Sequence, residues 1–121
     1  NIFMAVTDGG VLYQWDARQK ELLASFKAHN GDAYTLDINR INQSMLLTGG
    51  DDNTVRIWDR RLLSKKLYAF EGHHGTVVRV EWSPHDVNIF CSGALDHKVM
   101  VWDVLRVGSE VPKDDTNSGP N

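Results

Sequence analysis

The sequence has a single cysteine, no long apolar run and no dense stripe of basic residues. Cys91 has no second cysteine to pair with, so nothing in the composition indicates an oxidising compartment. No run reaches about 18 apolar residues, so no membrane-spanning helix is expected. The net charge is −3, which argues against direct nucleic-acid binding. No stretch of about ten or more residues carries apolar side chains at helical spacing, which argues against a helical fold.

What the sequence does have is a repeat, seen first in three Trp-Asp pairs at 15–16, 58–59 and 102–103. These pairs are 43 and 44 residues apart, a period typical of repeat architectures. Shifted by 44 residues, the chain matches itself without a gap at His29 and His73, Gly31 and Gly75, Thr48 and Ser92, Gly49 and Gly93, Asp52 and Asp96, Val55 and Val99, and Trp58 and Trp102.

Within each repeat, apolar and polar residues alternate in short runs. Residues 34–38 and 78–82 alternate in this way, and the runs 45–49, 54–58, 89–93 and 98–102 are rich in β-formers. A period of two predicts strands with one buried face, and the turn formers between the runs predict antiparallel meanders of four strands. We therefore expect an all-β chain of about ten strands.

The repeat length, the Ala-His or Gly-His near its start, the turn aspartate and the closing Trp-Asp resemble the WD-repeat β-propeller family. That resemblance implies a fragment of a β-propeller made of four-stranded antiparallel blades, too short to close a ring and so a piece of a larger protein. We expect a partial blade with the last three strands at 1–28 and a complete blade at 29–72. A blade lacking its last strand is expected at 73–107, followed by an acidic inserted loop or tail at 108–121.

Each full unit also holds a histidine, a hydroxyl residue and an aspartate, the side chains of a hydrolase triad. A catalytic site occurs once in a protein, whereas this set recurs at one offset together with a tryptophan. In the resembled family these side chains form a buried hydrogen-bond chain that holds the strands together, so we expect a structural clamp and no enzyme or cofactor. The clamp residues are His29, Thr48, Asp52 and Trp58 in one unit, and His73, Ser92, Asp96 and Trp102 in the next.

Two further expectations concern metals and the first unit. The remaining histidines, at 74, 85 and 97, have neither cysteine partners nor helical pairing, so no metal site is predicted. Asp8 precedes Trp15 by seven residues, whereas Asp52 and Asp96 precede their tryptophans by six. We therefore expect a looser turn in the first unit, without the full clamp.

Propellers bind partners mainly through the rim of loops around their central channel, so loop residues are candidates for function. By position, the second unit presents Asp32, Tyr34 and Asp51 there, an acidic patch with an aromatic ring that suits a basic peptide. The third unit presents the neutral residues Thr76, Val78 and Leu95. Ordinary solvated loop residues are the alternative interpretation of these positions.

Residues 70–108 more closely resemble the retinoblastoma-associated histone-binding WD proteins, above all in "EWSPHD" (81–86) and "WDVLRVG" (102–108). In that group an acidic inserted loop follows, and here the chain continues "SEVPKDDTNSGPN" (109–121). The resemblance implies a non-catalytic histone-binding subunit of chromatin assembly or modifying complexes, located in the nucleus and also in the cytoplasm. Its expected partners are histones and other chromatin-complex subunits, with Asp114 and Asp115 in the histone-binding loop.

A different class of function is the substrate receptor of a cullin-RING ubiquitin ligase. Receptors that dock on that ligase's adaptor resemble this chain at Asp52, Trp58, Asp59 and Arg61, and in part at residues 15–18. An arginine two residues after the aspartate is also common as a solvated strand end, and a generic WD-repeat scaffold is the third alternative. The sequence leaves these functions open.

Overall fold

The computed structural model describes residues 2–61 and 66–106, which form three antiparallel sheets. The first sheet contains β1 (Ile2–Val6), β2 (Val11–Asp16) and β3 (Glu21–Lys27). The second contains β4 (Ala33–Ile38), β5 (Met45–Gly50), β6 (Thr54–Asp59) and β7 (Lys66–Glu71). The third contains β8 (Val77–Trp82), β9 (Ile89–Ala94) and β10 (Val99–Asp103), and a 3-10 turn follows at Val104–Arg106.

In each sheet, strands that follow one another in sequence are neighbours in space. This is the order of a meander, and the predicted all-β class with four-stranded antiparallel units is confirmed. The sheets span residues 2–27, 33–71 and 77–103. The exact unit boundaries stay a prediction, and the predicted loop at 108–121 lies outside the described residues.

The sheets stack face against face through two apolar clusters. Between the first and second sheets, Trp58 packs edge-on against Phe26 with ring centroids 4.6 Å apart, beside buried Leu12 and Leu46. Between the second and third sheets, the larger cluster is formed by Leu47, Val55, Ile57, Phe70, Val77, Val80, Trp82, Phe90, Met100 and Trp102. The alternating residues of each strand thus supply the two faces that neighbouring sheets cover.

Hydrogen bonds reinforce the stacking of the second and third sheets. The edge amides of β8 at Val80 and Trp82 donate to side chains of β4, to Thr35 Oγ1 at 3.2 Å and to Asp37 Oδ2 at 2.8 Å. The Trp82 indole also donates to the Asp37 carbonyl oxygen at 3.1 Å. Because unpaired buried amides are costly, these bonds fix how one sheet sits on the next.

Tight hairpins place the turn residues of each unit. Asn53 and His97 have φ of 67° and 66°, the left-handed conformation of a tight turn. Gly9 and Gly10 have φ of 85° and 78° in the matching turn of the first sheet. A Cβ on Gly10 would lie 2.2 Å from the His29 carbonyl oxygen, so only glycine fits there. Within the described part of the chain, no helix is long and apolar enough to cross a membrane.

Candidate functional site

The structure brings the four clamp side chains of the second unit together. The Trp58 indole Nε1 donates to Thr48 Oγ1 at 2.9 Å, and Thr48 Oγ1 lies 2.8 Å from His29 Nε2. His29 Nδ1 lies 2.9 Å from Asp52 Oδ1. Since a carboxylate only accepts, the Nδ1 hydrogen points to Asp52 and Nε2 accepts from Thr48. The chain of bonds ties β6 to β5, and through His29 to the loop that precedes β4.

The third unit repeats this arrangement with serine in place of threonine. Trp102 Nε1 donates to Ser92 Oγ at 2.9 Å, and Ser92 Oγ lies 2.7 Å from His73 Nε2. His73 Nδ1 lies 3.1 Å from Asp96 Oδ2, which also accepts from the His74 amide at 2.8 Å. The 44-residue repeat thus places equivalent atoms in equivalent contacts.

Burial and hydrogen bonding shift the pKa values within these clamps. Burial alone would raise the pKa of Asp52, but bonds from His29, Thr54 and the Asn30 amide outweigh it and lower the pKa to about 2. Burial lowers the pKa of His29 below its ordinary value, against the opposing effect of Asp52. The pair therefore consists of a neutral imidazole and a charged carboxylate at neutral pH. The pKa of Asp96 is lowered in the same manner, burial being outweighed by bonds from the His74 amide and His73.

The clamp hydroxyls are placed badly for catalysis. Thr48 and Ser92 are 0% and 1% exposed, so a substrate could not reach either oxygen. Each oxygen is already in contact with both an indole and an imidazole, which leaves no free direction for attack on a carbonyl. This geometry favours the structural role predicted from the sequence.

The second clamp has an additional member that the third lacks. Arg56 donates from Nε to Thr54 Oγ1 and from Nη1 to the Ala28 carbonyl oxygen, and its Nη2 lies 3.2 Å from Asp52 Oδ2. The 44-residue repeat puts apolar Met100 at the corresponding place in the third unit. Arg56 therefore ties β6 to the loop that follows β3, and the third unit has no matching side chain for this bond.

The first unit lacks the clamp, as its sequence predicts, but the looser turn expected there is wrong and the placement of Asp8 requires a correction. Five residues separate the paired Val6 and Leu12, as five separate Gly49 and Val55 in the second unit. Phe3 pairs with Trp15 as Leu46 pairs with Trp58, so residues of the first unit correspond to those 43 positions later. On this register Asp8 matches the rim residue Asp51, not the turn aspartate Asp52. Ala5 and Gly9 occupy the places of the clamp residues Thr48 and Asp52, and neither can supply a clamp side chain.

The corrected register adds Asp8 to the acidic patch predicted on the rim. Tyr34 is 49% exposed, and partial desolvation followed by the charges of Asp32, Asp51 and Asp8 raises the pKa of its phenol. Asp32 Oδ1 accepts from the Gly9 amide at 2.6 Å, which holds this carboxylate in place. Sequence reasoning missed Asp8, although the 43-residue spacing of the first two tryptophans was the signal that could have found it.

The third unit continues the rim with apolar side chains. Val78 and Leu95 are exposed at the positions that match Tyr34 and Asp51. Thr76, the third predicted rim residue, donates its hydroxyl to Asp51 Oδ1 at 2.7 Å. The predicted rim positions are therefore acidic and aromatic in the second unit and mainly aliphatic in the third.

The four residues of the predicted ligase-adaptor box do not form one surface. Asp52 and Trp58 belong to the clamp. Asp52 lies in the turn before β6, at the opposite end of that strand from Asp59, and Trp58 is buried. Asp59 and Arg61 form a two-bond ion pair, with Nε to Oδ1 at 3.0 Å and Nη2 to Oδ2 at 2.8 Å. Hydrogen bonds from the side chain and the backbone amide of Arg61 lower the pKa of Asp59 to about 2. The Arg61 side chain is 75% exposed, so it is the accessible member of the box.

Two other sequence predictions concern the acidic loop and metal binding. Asp114 and Asp115, the predicted histone-binding loop residues, lie outside the described residues. Within residues 2–61 and 66–106, no group of three or more His, Cys, Asp or Glu side chains is arranged to hold a metal ion.

Stacked antiparallel sheets with a recurring Trp–Ser/Thr–His–Asp clamp define a β-propeller type of protein. The chain matches the family model described as WD domain, G-beta repeat, at residues 20–59 and 64–103. The two matches cover well over half of the sequence, and the chain therefore belongs to the WD-repeat family.

Similar proteins within this family carry different names. Histone acetyltransferase type B subunit 2 of Candida glabrata is 28% identical over 99% of this chain. GATOR2 complex protein WDR24 of Gallus gallus is 34% identical over 86% of the chain, and diphthine methyltransferase of Mus musculus is 31% identical over 72%. The chain spans only 28%, 15% and 18% of the lengths of these three relatives.

Proposed function

We propose that this chain belongs to a non-catalytic WD-repeat scaffold that binds a basic histone segment on its rim, as a subunit of chromatin assembly or modifying complexes in the nucleus. The observation that carries the proposal is the exposed Tyr34 ring among the carboxylates of Asp8, Asp32 and Asp51. The burial of both clamp hydroxyls supports the non-catalytic part.

An arginine side chain fits the chemistry of this patch. Its planar guanidinium can stack on the exposed face of Tyr34 while its N–H groups donate to a neighbouring carboxylate. Bonds of this type between charged groups are stronger than bonds between neutral groups. The three carboxylates also attract a basic chain before contact, which raises the rate of association.

The aliphatic side of the rim adds a second requirement. Val78 and Leu95 are exposed beside the acidic side and offer no charge to a ligand. A segment with an apolar residue close to its arginine or lysine would bury these side chains, and a uniformly basic segment would not. We therefore propose a ligand that mixes basic and apolar residues.

The comparisons support the histone assignment by their extent. The similarity to histone acetyltransferase type B subunit 2 of Candida glabrata runs along nearly the whole chain, and a second such subunit, from Debaryomyces hansenii, is 27% identical over 98% of it. The resemblance of "EWSPHD" and "WDVLRVG" to histone-binding WD proteins points the same way. The GATOR2 and diphthine methyltransferase relatives match smaller shares of the chain, 86% and 72%.

The test is titration of a labelled histone-tail peptide with the wild-type chain and with an Asp8→Asn/Asp51→Asn variant. Each exposed charge pair contributes about 0.2–1 kcal/mol, so we expect the double variant to bind roughly two- to thirtyfold more weakly. The difference should shrink as salt rises, because salt screens exposed charges.

Glu21→Gln is the matched control, since it removes one exposed carboxylate at the end of β3 opposite the rim. It should leave affinity unchanged. Equal affinities of wild type and the double variant at low salt would contradict the rim assignment. Asp114→Asn/Asp115→Asn, measured in the same titration, tests the proposed contribution of the loop separately.

A second candidate is docking on the adaptor of a cullin-RING ligase, favoured by the exposure of Arg61. Its guanidinium has one edge bound to Asp59 and the rest open to a partner. Arg61→Ala and Arg61→Lys should both abolish adaptor pull-down, because lysine lacks the planar fork. If the lysine variant recovers the adaptor as well as wild type does, Arg61 is not the docking residue and is only a solvated strand-end residue.

A further inference from the structure

The chain contains a single Asn-Gly pair, Asn30-Gly31, in the loop between β3 and β4. Asn30 is exposed, and both residues lie outside the strand pairing of the sheets. The Asn30 backbone amide donates to Asp52 Oδ2 at 3.1 Å, which joins this loop to the clamp of the second unit. A chemical change at Asn30 would therefore occur in contact with a clamp residue.

Asparagine is among the least heat-stable residues because its side-chain carbon can be attacked by the nitrogen of the next residue. A side chain on that next residue obstructs the attack, and glycine has none. The other asparagines within the described sheets and turns precede larger residues: Asn39 precedes Arg40, Asn42 precedes Gln43, Asn53 precedes Thr54, and Asn88 precedes Ile89.

The structure also leaves the attacking nitrogen available. Neighbouring amides of the loop are bonded, since Ala28 and His29 donate to the Gly10 carbonyl oxygen and Ala33 donates to that of Thr7. Within the described part of the chain, the Gly31 amide donates to no acceptor. No hydrogen bond has to break before it reacts.

We propose that Asn30 is a site of spontaneous deamidation in the folded protein. The Gly31 nitrogen loses its proton to hydroxide and bonds to Asn30 Cγ, the Cγ–Nδ2 bond breaks, and ammonia leaves. Water then opens the resulting succinimide. Addition at Cγ gives aspartate, and addition at the main-chain carbonyl carbon gives isoaspartate, whose backbone runs through the former side chain.

The modification has two consequences for the surrounding residues. Both products place a new carboxylate on residue 30, whose backbone amide donates to Asp52 Oδ2, so like charges come close together at the clamp. Isoaspartate also lengthens the main chain by one methylene between His29 and Gly31, whose carbonyl oxygens pack against Gly10. We therefore expect isoaspartate to strain the His29–Asp52 contact and to lower the melting temperature.

The experiment is incubation of the folded chain at mildly alkaline pH, followed by peptide mapping. The Asn30 peptide should gain one dalton, and isoaspartyl methyltransferase should label it. Asn42 and Asn88 serve as controls within the same sample and should change several-fold more slowly. Gly31→Ala should slow the reaction several-fold and Asn30→Gln should abolish it, while melting of aged and fresh samples measures the loss of stability.

A parallel sample unfolded in guanidinium separates the folded protein from the free peptide. The proposal holds when Asn30 reacts in the folded chain at a rate comparable to that in the unfolded one. It is overturned when Asn30 changes only after unfolding, or when it changes no faster than Asn42 and Asn88. Aspartate without labelled isoaspartate would overturn the succinimide route, because that route yields both products.

Discussion

Thr76 donates its hydroxyl hydrogen to Asp51 across the boundary between the second and third sheets, with Oγ1 and Oδ1 2.7 Å apart. The Asp51 backbone amide in turn donates to the Asp32 carbonyl oxygen at 2.8 Å. Two loops of one unit and the loop that precedes β8 of the next are therefore held together beside Tyr34. These bonds would hold Asp51 in place before the proposed peptide binds, and a preorganised site loses less entropy on binding.

Loss of a clamp histidine should destabilise the fold without affecting any chemistry. His73→Ala removes the imidazole that lies between Ser92 and Asp96. The buried hydroxyl then keeps only its bond from Trp102 and the carboxylate only its bonds from backbone amides, so we expect a cost of about 2–3 kcal/mol in the free energy of unfolding. Urea denaturation measures it. His74→Ala is the matched control, because the neighbouring imidazole is exposed and only its backbone amide is bonded. Equal midpoints for the two variants would refute the clamp.

Acid should weaken the second clamp in two successive ranges of pH. The folded pKa of His29 lies below its ordinary 6.5, so the unfolded chain binds the proton first as pH falls below that value, and stability declines. The folded pKa of Asp52 is about 2 against an ordinary 3.8, so the unfolded chain again binds the proton first between these values. Denaturant unfolding across this range measures the slope.

Asp52→Asn separates the two contributions. It should remove the decline between about pH 4 and pH 2 that Asp52 causes, while the decline that begins near pH 6.5 through His29 changes only in size. Asp86→Asn, which removes a carboxylate from the turn before β9, should retain both declines. An unchanged slope in Asp52→Asn would show that this carboxylate does not stabilise the folded chain.

The strands and clamps could be predicted because both follow from periodicities in the sequence. Alternation with a period of two marks the strands, and the 44-residue offset superimposes His29 on His73 and Thr48 on Ser92. Asp8 could not be placed by counting back to the turn alone, because the first unit replaces the turn aspartate with glycine. The 43-residue spacing of Trp15 and Trp58 was the signal for its register, and the pairing of Phe3 with Trp15 agrees with that spacing.

Contacts that do not recur in each unit could not be predicted from the 44-residue repeat. The bonds of Asp37 to Trp82 and the bond of Asn39 Nδ2 to the Val87 carbonyl oxygen link different units, and their 44-residue counterparts have other side chains. Arg56 is a similar case. The adaptor box stays a prediction, and the sequence alone could not show that Asp52 lies in the turn before β6, at the opposite end of that strand from Asp59.

The outer face of the third sheet should promote association of the isolated chain. Val99 and Val101 are 63% and 54% exposed on β10, although they correspond to buried Val55 and Ile57. Exposed apolar patches favour association, so Val99→Thr/Val101→Thr should lower the sedimentation-average mass with stability changed by less than about 0.5 kcal/mol. Val55→Thr, the buried control, should instead lower stability by about 1–3 kcal/mol. A wild-type chain that sediments as a monomer at all concentrations would contradict this prediction.

Gly49 should tolerate no side chain, whereas its repeat counterpart Gly93 should accept one. A Cβ at Gly49 would lie 2.6 Å from Val77 Cγ1 and 2.8 Å from Thr35 Cγ2, while a Cβ at Gly93 meets nothing within 4 Å. Overpacking costs about 1–3 kcal/mol, so Gly49→Ala should lower the free energy of unfolding by that amount and Gly93→Ala should change it by less than about 0.5 kcal/mol. A double-mutant cycle with Val77→Ala should recover part of the Gly49→Ala cost, because it removes the methyl groups nearest the new Cβ. Equal effects of the two alanines, or no recovery in the cycle, would show that the second and third sheets are not packed at Gly49 as the structure describes.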